Sequence, residues 1–117
     1  MNIIEELTPI SPEQFFQVGL YVGTILRAEL NPKAKKPAYH ITVDFGPLGI
    51  KESSAQLTVR YQPGDLVGRQ VIAVLNLPPK KVAGVRSEVL ILGAMLSDTD
   101  VILLNVDCPV PNGTRIG

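Results

Sequence analysis

Basic side chains, with two polar neighbours, concentrate in two short segments of the chain. They are Lys33, Lys35 and Lys36 in the first segment, and Asn76, Lys80, Lys81, Arg86 and Ser87 in the second. Cationic side chains bind carboxylates and phosphates. Because the second segment also contains Pro78 and Pro79, it forms a stiff basic turn between two apolar, strand-like runs. The pattern predicts a binding edge, which holds either an extended polypeptide or a nucleic-acid backbone.

The charge of the chain is neutral in total but unevenly distributed. The formal net charge is +0 at pH 7, yet residues 27–86 hold ten of the eleven bases and four acids, which makes that segment net +6. Charge segregated in this way steers an anionic partner even when the total is zero. The alternative interpretation is that these lysines are solvent-exposed side chains on the loops and bind no partner.

The residue types of the chain give little support for catalysis or metal binding. His40 is the single histidine and Cys108 the single cysteine, too few for a typical zinc site. Ser53 or Ser54 with His40 and Asp44 has the composition of a catalytic triad, but the exposed Gly-x-Ser-x-Gly elbow is missing. We therefore expect no catalytic residues, no metal and no cofactor.

Length and composition predict one globular domain over residues 1–117, with a core at about 18–93. Apolar residues make up 45% of the 117 and charged residues 19%, and a domain of this size buries enough surface to fold without disulfides. The first twelve residues lack the basic and apolar regions of a secretion signal. No apolar run reaches the roughly 20 residues that a membrane helix needs. We expect a cytoplasmic protein.

The pattern of apolar residues predicts an all-β fold. The alternation of Tyr39, Ile41, Val43 and Phe45 with polar residues indicates a half-buried strand. The expected strands are 18–30, 39–45, 50–57, 70–77, 87–92 and 101–106. Pro63-Gly64-Asp65 indicates a turn with a brief helix between the third and fourth strands. This order matches the five-stranded oligonucleotide- and oligosaccharide-binding (OB) barrel.

Two elements lie outside that five-stranded core. Ser11-Pro12-Glu13-Gln14 predicts a short N-terminal helix, because serine caps and proline suits the first helical position. The sixth strand forms a C-terminal extension. Since both are apolar and a small barrel has little spare interior, we expect them to form a homodimer interface through Phe15, Phe16, Val101 and Leu103. Their packing over the ends of the barrel of the same chain is the alternative.

An apolar set surrounds the basic turn, and aromatic residues are scarce. The apolar residues are Leu75, Leu77, Pro78, Pro79, Val82 and Val85. An OB surface that binds single-stranded nucleic acid normally offers stacking aromatics, whereas this chain has no Trp, three Tyr and three Phe. A hydrophobic groove edged by lysines favours unfolded polypeptide as the ligand.

Several strings of the chain resemble a known family. They are residues 36–39, 44–51, 53–57, 66–71, 76–80, 87–90 and 109–114, among which Ser53-Ser54-Ala55-Gln56 and Pro109-Val110-Pro111-Asn112-Gly113 are the most specific. They are similar to the CsaA-type export-related chaperones, which form a branch of the tRNA-binding OB-domain family. The resemblance extends from about Pro12 to Gly117.

This resemblance implies an OB barrel, a homodimer built through the terminal extensions, and a cytoplasmic chaperone that binds unfolded precursor polypeptides before export. It also implies that Ser53, Asn76, Lys80 and Ser87 match polar residues of the wider tRNA-binding module. With the lysines and Arg86, they form our candidate peptide- or RNA-binding set.

The departures from the wider module favour the chaperone branch. The module usually carries His-Pro-x-Ala-Asp-Lys after strand one, where this chain has Asn31-Pro32-Lys33-Ala34-Lys35-Lys36. It places Gly-Met after the fifth-strand serine, where this chain has Glu88-Val89. Binding of tRNA or structured RNA stays open as the second hypothesis, and docking onto an export machine or larger enzyme as a third.

Overall fold

The computed structural model describes residues 7–117, which form a nearly closed antiparallel barrel of five strands. In chain order the elements are α1 (Pro12–Phe15), β1 (Leu20–Leu30), β2 (Tyr39–Asp44), a 3-10 helix (Gly46–Leu48), β3 (Ile50–Ala55), α2 (Pro63–Leu66), β4 (Gln70–Val74), β5 (Lys80–Val82), β6 (Val85–Ser87), β7 (Leu90–Ile91), β8 (Gly93–Met95) and β9 (Val101–Leu103). The barrel strands follow the order β3-β2-β1-β4-β7. The predicted all-β OB fold is confirmed.

Alternation along the strands builds the core of the barrel. In β2, Tyr39, Ile41 and Val43 are buried, and the residues between them are half-buried on the outer face. The core cluster comprises Ile25, Tyr39, Ile41, Val43, Phe45, Leu57, Tyr61, Leu66, Val71, Ala73, Val89 and Leu103. The barrel closes where the Glu88 N–H donates to the Glu52 carbonyl at 2.8 Å. Beyond this bond β3 and β7 separate, which leaves an open seam.

Gly23 allows β1 to pass close to the largest core side chain. A Cβ at this position would lie 2.6 Å from Phe45 Cδ1 and 2.7 Å from Val43 Cγ1. Real Cβ atoms do not approach other carbons so closely, because their van der Waals optimum is about 3.5–4.0 Å. The glycine is therefore required by packing at this position.

Both α-helices are one turn long and begin as predicted. The Gln14 N–H donates to Ser11 Oγ at 3.1 Å, and the Ser11 N–H donates to Gln14 Oε1 at 2.8 Å. These reciprocal bonds form a capping box that satisfies two helix-end donors. In α2, Leu66 is buried beneath the barrel. No helix between Leu7 and Gly117 is long or apolar enough to cross a membrane.

The predicted turn between the fourth and fifth strands is itself a hairpin. β4 ends at Val74, and the basic segment forms β5 and β6, joined at Ala83-Gly84. Both turn residues have positive φ, +48° at Ala83 and +85° at Gly84, as a two-residue turn of type I′ requires. The predicted fifth strand, 87–92, is therefore divided between β6 and β7.

The C-terminal segment folds back across the barrel. The predicted extension strand pairs with β8, which the sequence did not predict, and ends at Leu103. Farther along, the Gln70 Nε2 group donates to the Val110 carbonyl at 2.7 Å, and Thr24 Oγ1 donates to Asn112 Oδ1 at 2.7 Å. These bonds fasten the Pro109–Gly113 string to β1 and β4, so that string has a structural role.

Candidate binding groove and basic hairpin

Three adjoining cavities form an open groove on the outer side of β3, and Ser54 lines all of them. The largest, about 650 Å³, lies between the β1–β2 loop and the β5–β6 hairpin. The second, about 270 Å³, lies beside Leu77, Pro78 and Leu90. The third, about 250 Å³, follows the seam between β3 and β7. The three are called the groove below.

The lysines of the β1–β2 loop form one rim of the groove. Lys33, Lys35 and Lys36 line the largest cavity, opposite Val82 of the hairpin. The loop and the hairpin are joined by a direct bond, because the Asn31 Nδ2 group donates to the Ala83 carbonyl at 3.2 Å. The two basic segments therefore lie next to each other in the fold.

The basic side chains of the second segment lie on two opposite faces of the β5–β6 hairpin. Cross-strand pairing sets Lys80 opposite Ser87 and Lys81 opposite Arg86. Paired residues share a face, and consecutive residues alternate. Lys80 and Ser87 accordingly line the groove, whereas Lys81 and Arg86 line a separate cavity on the outer face of the hairpin.

The structure corrects the role of Ser53. Its side chain is 2% exposed, and its hydroxyl donates to the Val89 carbonyl at 3.0 Å. Because Ser53 is buried and bonded in this way, it links β3 to the segment around Val89 and cannot contact a ligand. Ser54, the next residue, faces the groove instead, and sequence reasoning missed it because both serines belong to the same string.

Replacement of Ser53 by alanine tests this correction. The variant leaves the Val89 carbonyl buried without its donor, so we expect the free energy of unfolding to fall by about 1–3 kcal/mol. Ligand affinity of the folded protein should be unchanged. Urea denaturation and a binding titration on the same preparation measure the two quantities. Retained stability with lost affinity would restore Ser53 to the site.

Asn76 and Ser87 also have structural bonds. Asn76 Oδ1 accepts from the Gly19 N–H at 2.7 Å, and its Nδ2 group donates to the Gln17 carbonyl at 2.6 Å. This amide holds the segment after α1 and does not line the groove. Ser87 Oγ accepts from the Ser54 N–H at 3.0 Å. The Ser87 hydroxyl proton remains free to meet a ligand.

None of the six aromatic side chains of the chain lines the groove. Tyr39 and Tyr61 are buried, and their hydroxyls bond to the Tyr61 carbonyl and the Leu103 N–H. Tyr21 lies under the Arg115 guanidinium at 5.7 Å. The three tyrosines are therefore engaged elsewhere, and the groove offers aliphatic side chains and lysines.

The lysines of the site are electrostatically uncompensated. Within residues 7–117, no carboxylate lies within 4.0 Å of Lys33, Lys35, Lys36, Lys80 or Lys81. His40 instead pairs with Glu52 at 2.6 Å on the outer face of the sheet, and no cluster of metal-ligand side chains is found in the described chain. The positive charge of the rim is available to an anionic group.

The residues expected at a dimer interface have different surroundings. Phe15 and Phe16 contact each other edge-to-face and are exposed, at 40% and 50%. Val101 is half-buried, and Leu103 is in the core. Because Leu103 is covered within its own chain, we replace it in the expected interface by its exposed neighbours Ile102 and Leu104.

The barrel and its groove define an OB-fold domain. Residues 20–115 match the family described as "Putative tRNA binding domain". Among curated relatives, the methionine–tRNA ligase of Methanothrix thermoacetophila is 38% identical over 109 residues, which cover 92% of this chain and 16% of the ligase. The chain thus spans about one sixth of the length of the curated relatives it matches.

Two solved structures cover nearly all of the chain. A CsaA chaperone from Bacillus anthracis is 47% identical, with a TM-score of 0.89, and a CsaA chaperone from Picrophilus torridus is 38% identical, with a TM-score of 0.84. They cover 94% and 93% of this chain and are themselves covered completely. The chain belongs to the tRNA-binding OB-domain family and is of its CsaA type.

Proposed function

We propose that the chain is a chaperone that binds extended, unfolded polypeptide in the groove. The carrying observation is the lining of the groove, which joins aliphatic walls at Leu77, Val82 and Leu90 to a lysine rim. Aliphatic walls accept many side chains without demanding one shape, and the lysines attract acidic residues. Binding of this kind tolerates diverse sequences, as unfolded clients require.

The family resemblance suggests the clients and the setting of this activity. Precursor polypeptides awaiting export present extended, apolar segments, and a cytoplasmic chaperone meets them before they fold. The proposed role is to bind and release, without catalysis or a cofactor. Docking onto an export machine would place the groove beside the site where clients are handed over.

A salt titration with a labelled peptide tests the function. The probe is an extended aliphatic peptide with acidic residues at both ends, and fluorescence anisotropy measures its affinity. We expect a contact governed by apolar burial to persist between about 50 and 200 mM salt, whereas a contact governed by phosphates falls by orders of magnitude. The protein should also slow aggregation of an unfolded client at stoichiometric amounts. Failure in both assays would refute the proposal.

Binding of tRNA or another structured RNA is the second candidate function. It is favoured by the uncompensated lysines and by the family description of residues 20–115. Because no aromatic side chain lines the groove, such binding would rest on phosphate contacts and depend steeply on salt. Absence of a mobility shift with tRNA at low salt would exclude it.

We also propose that the protein forms a homodimer. Phe15, Phe16, Ile102 and Leu104 are exposed apolar side chains on the two terminal extensions, and a second copy would remove them from water. Sedimentation at micromolar concentration should show a dimer. Phe16→Ser with Ile102→Ser should shift the equilibrium toward monomer, and exposed Val59→Ser is the matched control. A wild-type monomer at all concentrations would contradict the proposal.

A further inference from the structure

The outer face of the β5–β6 hairpin brings like charges together. Lys81 and Arg86 lie directly opposite each other across the two strands. Like charges in this position destabilise a β-ribbon. The pair therefore disfavours folding of the hairpin, and no compensating structural contact is visible in the part of the chain that the structure describes. Such locally unfavourable arrangements are expected at functional sites.

Neighbouring groups do not neutralise this face. Arg86 Nε lies 3.8 Å from Glu88 Oε1, a loose contact of a largely exposed side chain. Lys33, which lines the groove, also extends to the turn, since a Cβ on Gly84 would lie 3.9 Å from Lys33 Nζ. Among the described residues, the face has an excess of positive charge.

The shape of this face differs from that of the groove. A cavity of about 480 Å³ lies over it, lined by Pro79, Lys81, Gly84 and Arg86. This lining contains no aliphatic or aromatic side chain beyond the proline ring. It therefore suits an anionic backbone better than an apolar peptide.

The turn holds the two cations in place. Ala83 has a φ of +48°, a left-handed conformation that residues with a side chain adopt infrequently. The hydrogen bond from Asn31 fixes the Ala83 carbonyl and thereby the end of the hairpin. The basic ribbon is consequently presented in one orientation relative to the β1–β2 loop.

We propose that this outer face, through Lys81 and Arg86, binds the phosphate backbone of a folded RNA and leaves the groove free for polypeptide. The two candidate ligands then occupy opposite sides of one hairpin and bind together. This inference rests on the second function proposed above for its RNA ligand, and it assigns that ligand a site of its own.

Two double variants of equal charge change test the assignment with a folded tRNA as the probe. Lys81→Gln with Arg86→Gln removes the outer cations, and Lys35→Gln with Lys36→Gln removes two cations of the groove rim. With a salt slope of about −0.9 per phosphate contact, one contact at 0.1 M salt is worth roughly eightfold in affinity. We expect the outer variant to weaken tRNA at least tenfold and to lower the salt slope by about 2. The rim variant should weaken tRNA binding by a clearly smaller factor than the outer variant, and it should also lower peptide affinity because its lysines line the groove.

Stability and competition separate this inference from the proposed function. Lys81→Glu replaces repulsion by attraction across the strands, so it should keep or raise the melting temperature while weakening tRNA binding at least tenfold. Saturating peptide should not displace tRNA. Displacement by peptide, an equal effect of the rim variant, or no tRNA binding by the wild type would each overturn the inference. Absence of peptide binding would refute the chaperone function only. The tRNA affinities of the outer and rim variants would still show whether RNA binds at the outer face.

Discussion

Replacement of Gly23 by alanine is expected to destabilise the barrel strongly. The added methyl would lie 2.6 Å from Phe45 Cδ1, 2.7 Å from Phe45 Cε1 and 2.7 Å from Val43 Cγ1. Neither neighbour can withdraw, because both are fully buried and surrounded by core side chains. Overpacking typically costs 1–3 kcal/mol, and here the added atom meets two side chains at once. We expect a loss of about 3 kcal/mol or more, a large part of a typical total of roughly 5–15 kcal/mol.

Urea denaturation followed by circular dichroism measures this loss, and Gly64→Ala is the matched control. A Cβ on Gly64 meets no atom within 4 Å, and the residue lies in α2. Its replacement should leave stability unchanged or raise it by about 0.4–1 kcal/mol, because alanine reduces the entropy of the unfolded chain. Equal stabilities for the Gly23 and Gly64 variants would show that β1 does not approach Phe45 as described.

Replacement of Ser54 by tyrosine is expected to weaken polypeptide binding strongly without unfolding the protein. Ser54 lines all three cavities of the groove, so a bulky side chain there obstructs the path of an extended ligand. Tyrosine suits a strand surface, and the Ser54 N–H still donates to Ser87 Oγ. We expect peptide affinity to fall at least tenfold, about 1.4 kcal/mol, with an unchanged melting temperature.

Thr42→Tyr provides the comparison for this experiment. Thr42 lies on the outer face of β2 opposite Glu52, and it is half-buried like Ser54 but does not line the groove. A tyrosine there adds the same volume to the same sheet. Peptide anisotropy should distinguish the two variants. If both bind peptide as the wild type does, extended polypeptide does not occupy the groove.

Sequence patterns predicted the barrel strands well, because alternation reports burial directly. β2 was expected at 39–45 and lies at Tyr39–Asp44, and the capping residues of α1 are those predicted. The β5–β6 hairpin escaped prediction. Its turn uses Ala83 in a conformation that Asn or Gly normally occupies, so the usual hairpin motif was missing and the basic segment was interpreted as a single turn.

The candidate site could be predicted only in part, since residue type does not reveal the direction of a side chain. The lysines were recognised by charge. The division between Lys80 and Lys81 depended on the unpredicted hairpin. Ser53 and Asn76 are polar residues in specific strings, yet both are engaged within the fold. Polar residues that support a site and those that line it look alike in one sequence.

The bond between Asn31 and Ala83 has a mechanical consequence. It links the lysine loop to the tip of the hairpin and so restrains the width of the groove between them before a ligand binds. A preformed groove does not lose conformational entropy of its own on binding, so the entropy that is lost is that of the flexible polypeptide. Asn31 would thus govern how tightly clients are held although it touches none of them.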